Sequence, residues 1–214
     1  MSLDFVYLAS GSPRRRELLH QIGISFRVIA AAVDEAALRG EAPTAYVARL
    51  AAAKADAGWI GSSEASRVPE APRVPEAASI PVLAADTAVI LDGTILGKPA
   101  DREHAENMLR QLSGRTHEVL TAVALRSADG LHSRISRSEV TFRPITAAET
   151  RAYWETGEPG DKAGAYAIQG RAAIFIADLR GSYSGVMGLP LFETAELLSQ
   201  AGYVPLEQPT RQAP

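Results

Sequence analysis

Asp86 and Thr87 interrupt an otherwise apolar run from Val82 to Leu91. A carboxylate in such a run is costly to bury alone, so Asp86 is expected at a strand end, against a cation, a metal ion or a hydrogen-bond donor. One cation, Lys98 in Gly97-Lys98-Pro99, falls a short loop away from the hairpin that carries Asp86. Lys54 shares helical spacing with Val47, Leu50 and Ala51. A lysine so placed usually runs its ammonium out to water along its own stem. Glu35, in Val33-Asp34-Glu35, falls on a loop after an apolar stretch. It is either a solvated loop acid or an oxygen ligand for a hard divalent cation. Arg14, Arg15 and Arg16 follow Ser10-Gly11-Ser12-Pro13 and occupy the first turn of an expected helix. That end of a helix already carries partial positive charge and free N–H groups, so an anion between the arginines would relieve the conflict. The alternative is a serine cap followed by solvated arginines, and neither the Walker nor the dinucleotide glycine pattern is present. Arg15 falls on the face of Leu18, Leu19 and Ile22, which directs it toward the core. Gln169 stands beside Gly170 in a stretch of small residues, and its amide offers the donor and acceptor that match a nucleobase edge.

The elements that must position these groups can be read in chain order. A strand over Phe5 to Ala9 leads to a helix opened by Pro13, where the missing N–H costs nothing, and closed near Gly23. A second strand covers Phe26 to Ala31, and a helix runs from Pro43 to about Ala57. From Gly61 to Ile80 a tandem Arg67-Val-Pro-Glu-Ala-Pro and Arg73-Val-Pro-Glu-Ala-Ala reads as an exposed loop, because its prolines forbid a regular helix or central strand. Val82 to Leu91 reads as buried strand, Asp92-Gly93 as a hairpin turn, and Thr94 to Leu96 as its return. Asp101 caps a helix to about Leu112. Strands over Thr116 to Leu125 and Ser133 to Phe142 join at Asp129-Gly130. Thr146 and Glu149 form a capping box for a helix to about Thr156. A strand over Ala173 to Ala177 and a helix from Pro190 to about Ala201 complete a domain over residues 1–204, with a loose tail at 205–214.

Composition bounds the function. The net charge of −3 over 214 residues argues against a general binder of nucleic acid polymers, which would show a basic excess. With no cysteine there is no disulfide and no thiolate chemistry. No apolar run approaches the roughly 20 residues of a membrane span. The expectation is a soluble cytoplasmic protein. His20, His104, His117 and His132 share no metal-ligand spacing and read as structural or surface residues.

Four stretches, in order, resemble the Maf family of nucleoside triphosphate pyrophosphatases. They are Leu8-Ala-Ser-Gly-Ser-Pro-Arg-Arg15; Ala85-Asp-Thr87 with Gly97-Lys-Pro99; Leu112-Ser-Gly-Arg-Thr-His117; and Asp161-Lys-Ala-Gly-Ala-Tyr-Ala-Ile-Gln-Gly170 with Val186-Met-Gly-Leu-Pro-Leu191. Together they span about Tyr7 to Ser199. The resemblance implies an α/β fold like that of inosine-triphosphate pyrophosphatases, with a mixed central sheet, flanking helices and two lobes around a cleft. It also implies a cytoplasmic enzyme, often a homodimer, that depends on a divalent metal such as Mg²⁺, Mn²⁺ or Co²⁺. Its phosphate-binding residues fall on Ser10, Ser12, Arg15, Lys54 and Lys98, its metal-associated acids on Glu35 and Asp86, and its catalytic proton acceptor on Asp86. Its specificity positions fall on Arg14, Thr87 and Gln169, which resemble the branch acting on dTTP, UTP and modified pyrimidine nucleotides. The alternatives are a 7-methyl-GTP-type pyrophosphatase, whose branch carries tryptophan, glutamine and glutamate there, or a nucleotide-sensing regulator of cell division.

Overall fold

A computed structural model describes residues 5–65 and 80–203. The Arg67 duplication and the tail at 205–214 lie outside the described residues. The chain runs β1 (Val6–Leu8), α1 (Pro13–Gln21), β2 (Phe26–Val28), α2 (Pro43–Ala65), β3 (Val82–Leu91), β4 (Thr94–Leu96), α3 (Arg102–Leu112), β5 (Thr116–Ser127), β6 (Gly130–Phe142), α4 (Ala147–Trp154), β7 (Ile176–Arg180), α5 (Tyr183–Met187) and α6 (Leu191–Gln200). Three 3-10 segments, Glu158–Asp161, Ala163–Ala165 and Arg171–Phe175, link α4 to β7.

One open, mixed sheet in the order β2-β1-β3-β5-β6-β7 carries the fold, with β4 paired to β3. β1 is parallel to β2 and β3, whereas β3, β5, β6 and β7 form antiparallel neighbours. On one face, α2 lays Val47, Ala51 and Ala55 against Ala84, Ala88, Leu120 and Ala122. On the other, α1 and α6 bury Leu18, Leu19, Leu197 and Leu198 against Leu83, Ala85 and Val123. Further along that face, α3 and α4 pack Met108, Leu109 and Tyr153 against Val89, Val119 and Phe142.

Local signals hold where the chemistry is local. Asp92 and Gly93 have φ of 51° and 76°, the two positive values that a tight hairpin needs. Asp101 accepts from His104 N, and both halves of the Thr146–Glu149 capping box form.

Four expectations need correction. The second strand ends at Val28 instead of reaching Ala31. α2 does not stop near Ala57 but continues to Ala65. Gly58 is there for close approach, since a Cβ on it would stand 2.8 Å from Val82 Cγ1 and 2.9 Å from Ile29 Cδ1. Residues 171–175 form a 3-10 helix rather than the start of a strand, and β7 begins only at Ile176. Asp86 is not at a strand end: it is the fifth residue of the ten in β3. Its access comes instead from the sheet edge. β1 pairs with β3 at Val82 and Leu83, and β4 pairs with it from Val89, so among the described residues Ala84 to Ala88 carry no strand on that side.

Candidate active site

A cleft of about 850 Å³ opens over this unpaired stretch of β3. Strand pleating sends Asp86 toward α2 and Thr87 toward α1 and α5, yet the open edge gives both to the same cavity. Every residue singled out above, from Ser10 to Gln169, lines it: Ser10, Ser12, Arg14, Arg15, Glu35, Lys54, Asp86, Thr87, Lys98 and Gln169.

On the α2 side, Lys54 reaches Asp86 rather than water. Its Nζ lies 2.7 Å from Asp86 Oδ1 and 2.6 Å from Glu35 Oε1. Asp86 is 7% exposed. Burial pushes its carboxyl above the ordinary aspartate value, while the Lys54 ammonium and the Arg15 charge pull it back. Glu35 is exposed, and the hydrogen bond from Lys54 holds it below the ordinary glutamate value. Tyr46, on the first turn of α2, lines the cavity and donates its hydroxyl to Glu35 O at 3.1 Å, fixing the loop that carries the acid. Lys98 is exposed at the rim.

On the opposite side, Arg15 meets protein acceptors in three directions. Nε donates to Gly188 O at 2.7 Å, Nη1 to Ser10 Oγ at 3.0 Å and Nη2 to Thr87 Oγ1 at 3.4 Å. The helix-start conflict expected for Arg15 is thus partly met by a carbonyl at the C-terminal end of α5. Burial lowers the Arg15 pKa from its usual value, and the nearby Asp86 charge opposes that shift. Ser12 is the N-cap residue of α1, but its side chain makes no cap bond; its backbone N donates to Ser10 Oγ at 3.3 Å.

Thr121, like Tyr46, is a residue that the sequence motifs did not single out. It is 1% exposed, and its hydroxyl lies 2.7 Å from Gly185 O and 3.0 Å from Thr87 Oγ1. The Thr121 hydroxyl is the donor toward both, sharing its proton between the Gly185 carbonyl and Thr87 Oγ1, and Thr87 Oγ1 also accepts from Arg15. The signal was available: a hydroxyl inside the apolar run Leu120 to Leu125 must find a partner. Gly188, with φ of 119°, lets the chain turn close against this group, where a Cβ would meet Thr87 Oγ1 at 3.5 Å and Arg15 Nε at 3.6 Å.

The third wall is the stretch from Asp161 to Gln169. Gly164, with φ of 66°, presses on Val89, where a Cβ would stand 2.9 Å from Cγ1. Asp161 and Lys162 form an ion pair at the rim. Gln169 is exposed to the cavity. Of the four histidines, His117 is buried, with Nε2 2.8 Å from the Tyr166 hydroxyl; the other three are on the surface.

The lining therefore gathers Arg14, Arg15, Lys54, Lys98 and Lys162 against Glu35, Asp86 and Asp161, a local positive excess in a chain of net charge −3. Residues 5–201 match the family described as Maf-like protein. The chain belongs to the Maf family. A protein of Aromatoleum aromaticum named dTTP/UTP pyrophosphatase is 54% identical over 207 residues, covering 92% of this chain and 96% of the relative. Proteins of the same name from Alkalilimnicola ehrlichii and Cupriavidus pinatubonensis are 53% and 52% identical, each with more than nine-tenths of both chains covered. The cleft combines a volume of about 850 Å³ with an excess of cationic side chains. Among the described residues, no helix is long and apolar enough to cross a membrane.

Proposed function

We propose that this chain hydrolyses dTTP and UTP, with related modified pyrimidine nucleotides, to the monophosphate and pyrophosphate. The observation that carries the reading is the single cleft in which Asp86 and the cations Arg15, Lys54 and Lys98 meet. Water attacks the α-phosphorus, the bond to the bridging oxygen breaks, and pyrophosphate leaves with the electron pair. The nucleophile's proton passes to Asp86, whose burial makes it a stronger base than an exposed aspartate. Lys54 and Lys98 hold the triphosphate where negative charge grows on the departing pyrophosphate. Arg15 has three of its N–H groups committed to protein, so it offers the remaining ones to phosphate from a fixed position. Ser10 and Ser12 line the same end, and Gln169, with Arg14 and Thr87, faces the base.

A divalent cation fits the donor set. Glu35 and Asp86 both contact one ammonium, so their carboxylates converge on one small volume that is already organised around positive charge. Among the described residues no cluster of three His, Cys, Asp or Glu side chains forms. The two carboxylates present suit Mg²⁺, which takes one or two and fills its shell with waters and substrate phosphates. Glu35 and Asp86 would hold the ion, which when bound lowers the pKa of water and neutralises phosphate charge. The reading includes a cytoplasmic homodimer, testable by light scattering after gel filtration.

The deciding experiment is pyrophosphate release from a nucleotide panel with and without Mg²⁺ or Mn²⁺. The expected result is metal-dependent turnover highest on dTTP and UTP. Preference for 7-methyl-GTP, or tight binding with negligible turnover, overturns it.

A further inference from the structure

Gln169 faces a selection problem that its amide alone does not solve. Uracil presents an N3–H and a C4 carbonyl; guanine presents an N1–H and a C6 carbonyl in the same order on a larger ring. A glutamine amide pairs with either edge. What separates them is reach, so the backbone under Gln169 has to stand at a fixed distance from the phosphate end of the cleft.

That backbone is held from outside the cavity. Gly170 N donates to Ala167 O at 3.0 Å, closing a turn with Gln169 at its third position. Before the turn, Ala167 N donates to Tyr153 Oη at 3.2 Å; after it, Arg171 N donates to Glu158 Oε2 at 3.0 Å. Tyr153 Oη donates to Glu158 Oε1 at 2.5 Å, so the two supports are one unit. Because the Tyr153 oxygen accepts from Ala167, its own proton is free to go to the carboxylate. Glu158 in turn caps the 3-10 helix Arg171–Phe175, taking backbone N–H groups that have no helical partner. Its carboxylate lies so close over Gly170 that a Cβ there would stand 2.3 Å from either oxygen. The Tyr153 ring is anchored edge-on against Phe175, with centroids 5.5 Å apart. Neither Tyr153 nor Glu158 lines the cleft.

We propose that Tyr153 and Glu158 are positioning residues for nucleobase selection, holding the Gln169 turn at the depth that admits a pyrimidine and refuses a purine. The inference rests on Gln169 reading the base. Tyr153→Phe removes one oxygen and keeps the ring. The ratio of kcat/KM for UTP over GTP is expected to fall about tenfold, carried by KM for UTP, with kcat changed less than about twofold. Glu158→Gln keeps an acceptor for Tyr153 but not both carboxylate oxygens, so the ratio should fall in the same direction by less. A ratio taken on one preparation does not depend on the folded fraction, so a purely structural role would leave it unmoved. If Tyr153→Phe does not accumulate as folded protein, the Glu158→Gln ratio decides. Gln169→Ala runs in parallel. If Gln169→Ala lowers the ratio while the other two variants keep it, the positioning role is overturned and base reading survives. If Gln169→Ala itself leaves the ratio unchanged, base reading fails and the inference falls with it.

Discussion

On the α2 side of β3, Asp86, Lys54 and Glu35 meet through one ammonium; one residue along, on the other side, Thr87, Thr121 and Arg15 meet through hydroxyls and a guanidinium. The first group is made of full charges held by a single flexible side chain. An arriving phosphate or cation can redistribute those contacts without moving backbone. The second group ties five pieces of chain together: α1 through Arg15, the loop after β1 through Ser10, β3 through Thr87, β5 through Thr121, and α5 with its cap through Gly185 and Gly188. Every bond in it has a fixed direction, so it holds geometry and has little freedom to rearrange. The comparison separates a half that does chemistry at some cost to stability from a half that supplies stability to the chemistry.

The raised Asp86 value gives that cost a sign. A folded-state pKa above the ordinary one means that the folded protein prefers Asp86 protonated, so its ionisation lowers stability as pH rises through that window. Asp86→Asn should therefore cut kcat by about 10³-fold while the melting temperature stays level or rises. A large fall in melting temperature would break the contrast, and near-normal turnover would remove Asp86 from the mechanism. Arg15→Lys should do the opposite on stability. Lysine cannot serve three acceptors in three directions, and the loss should be about 3 kcal/mol in denaturant unfolding, together with lower activity. Unchanged stability with lost activity would place Arg15 among the chemical groups instead.

A third test isolates pH effects that belong to neither side. His117 is buried behind Tyr166, its Nδ1 has no partner among the described residues, and burial pulls its pKa down to about 4. The unfolded chain takes up the proton first, so stability is lost as pH falls below the ordinary histidine value. Between about pH 7 and about pH 5 the loss should be about 2 kcal/mol. His117→Gln should flatten that slope in thermal melts, and an unchanged slope would assign it elsewhere. The smallest effect sharpens the cleft's third wall. Gln169→Glu should lower kcat/KM for dTTP and UTP about tenfold, and equal loss on every nucleotide would end its role in base reading.

Much of this was legible without coordinates, and for a common reason. Asp92-Gly93, Asp101 and Thr146 with Glu149 act on backbone groups within three residues, so their spacing alone specifies the turn or cap. Asp86 stood out for a similar reason: a carboxylate in an apolar run needs a partner, and its desolvation does not depend on which element supplies the cation. Thr121 carries the same signal, a polar group in an apolar run that must find a partner.

The rest was decided by packing between distant segments. The helix expected to end near Ala57 continues instead, and Gly58 is the point where α2 passes close to Val82 and Ile29. Asp86 reads as a strand end, yet its access comes from where β1 stops and β4 starts along β3. The Arg15 acceptors lie up to 173 residues away, at Gly188. Sequence fixes which groups cannot be left unpaired, because that follows from charge, hydrogen bonding and spacing. Only the tertiary structure chooses the partner, because the choice depends on which backbones come within a few ångströms once the sheet has closed.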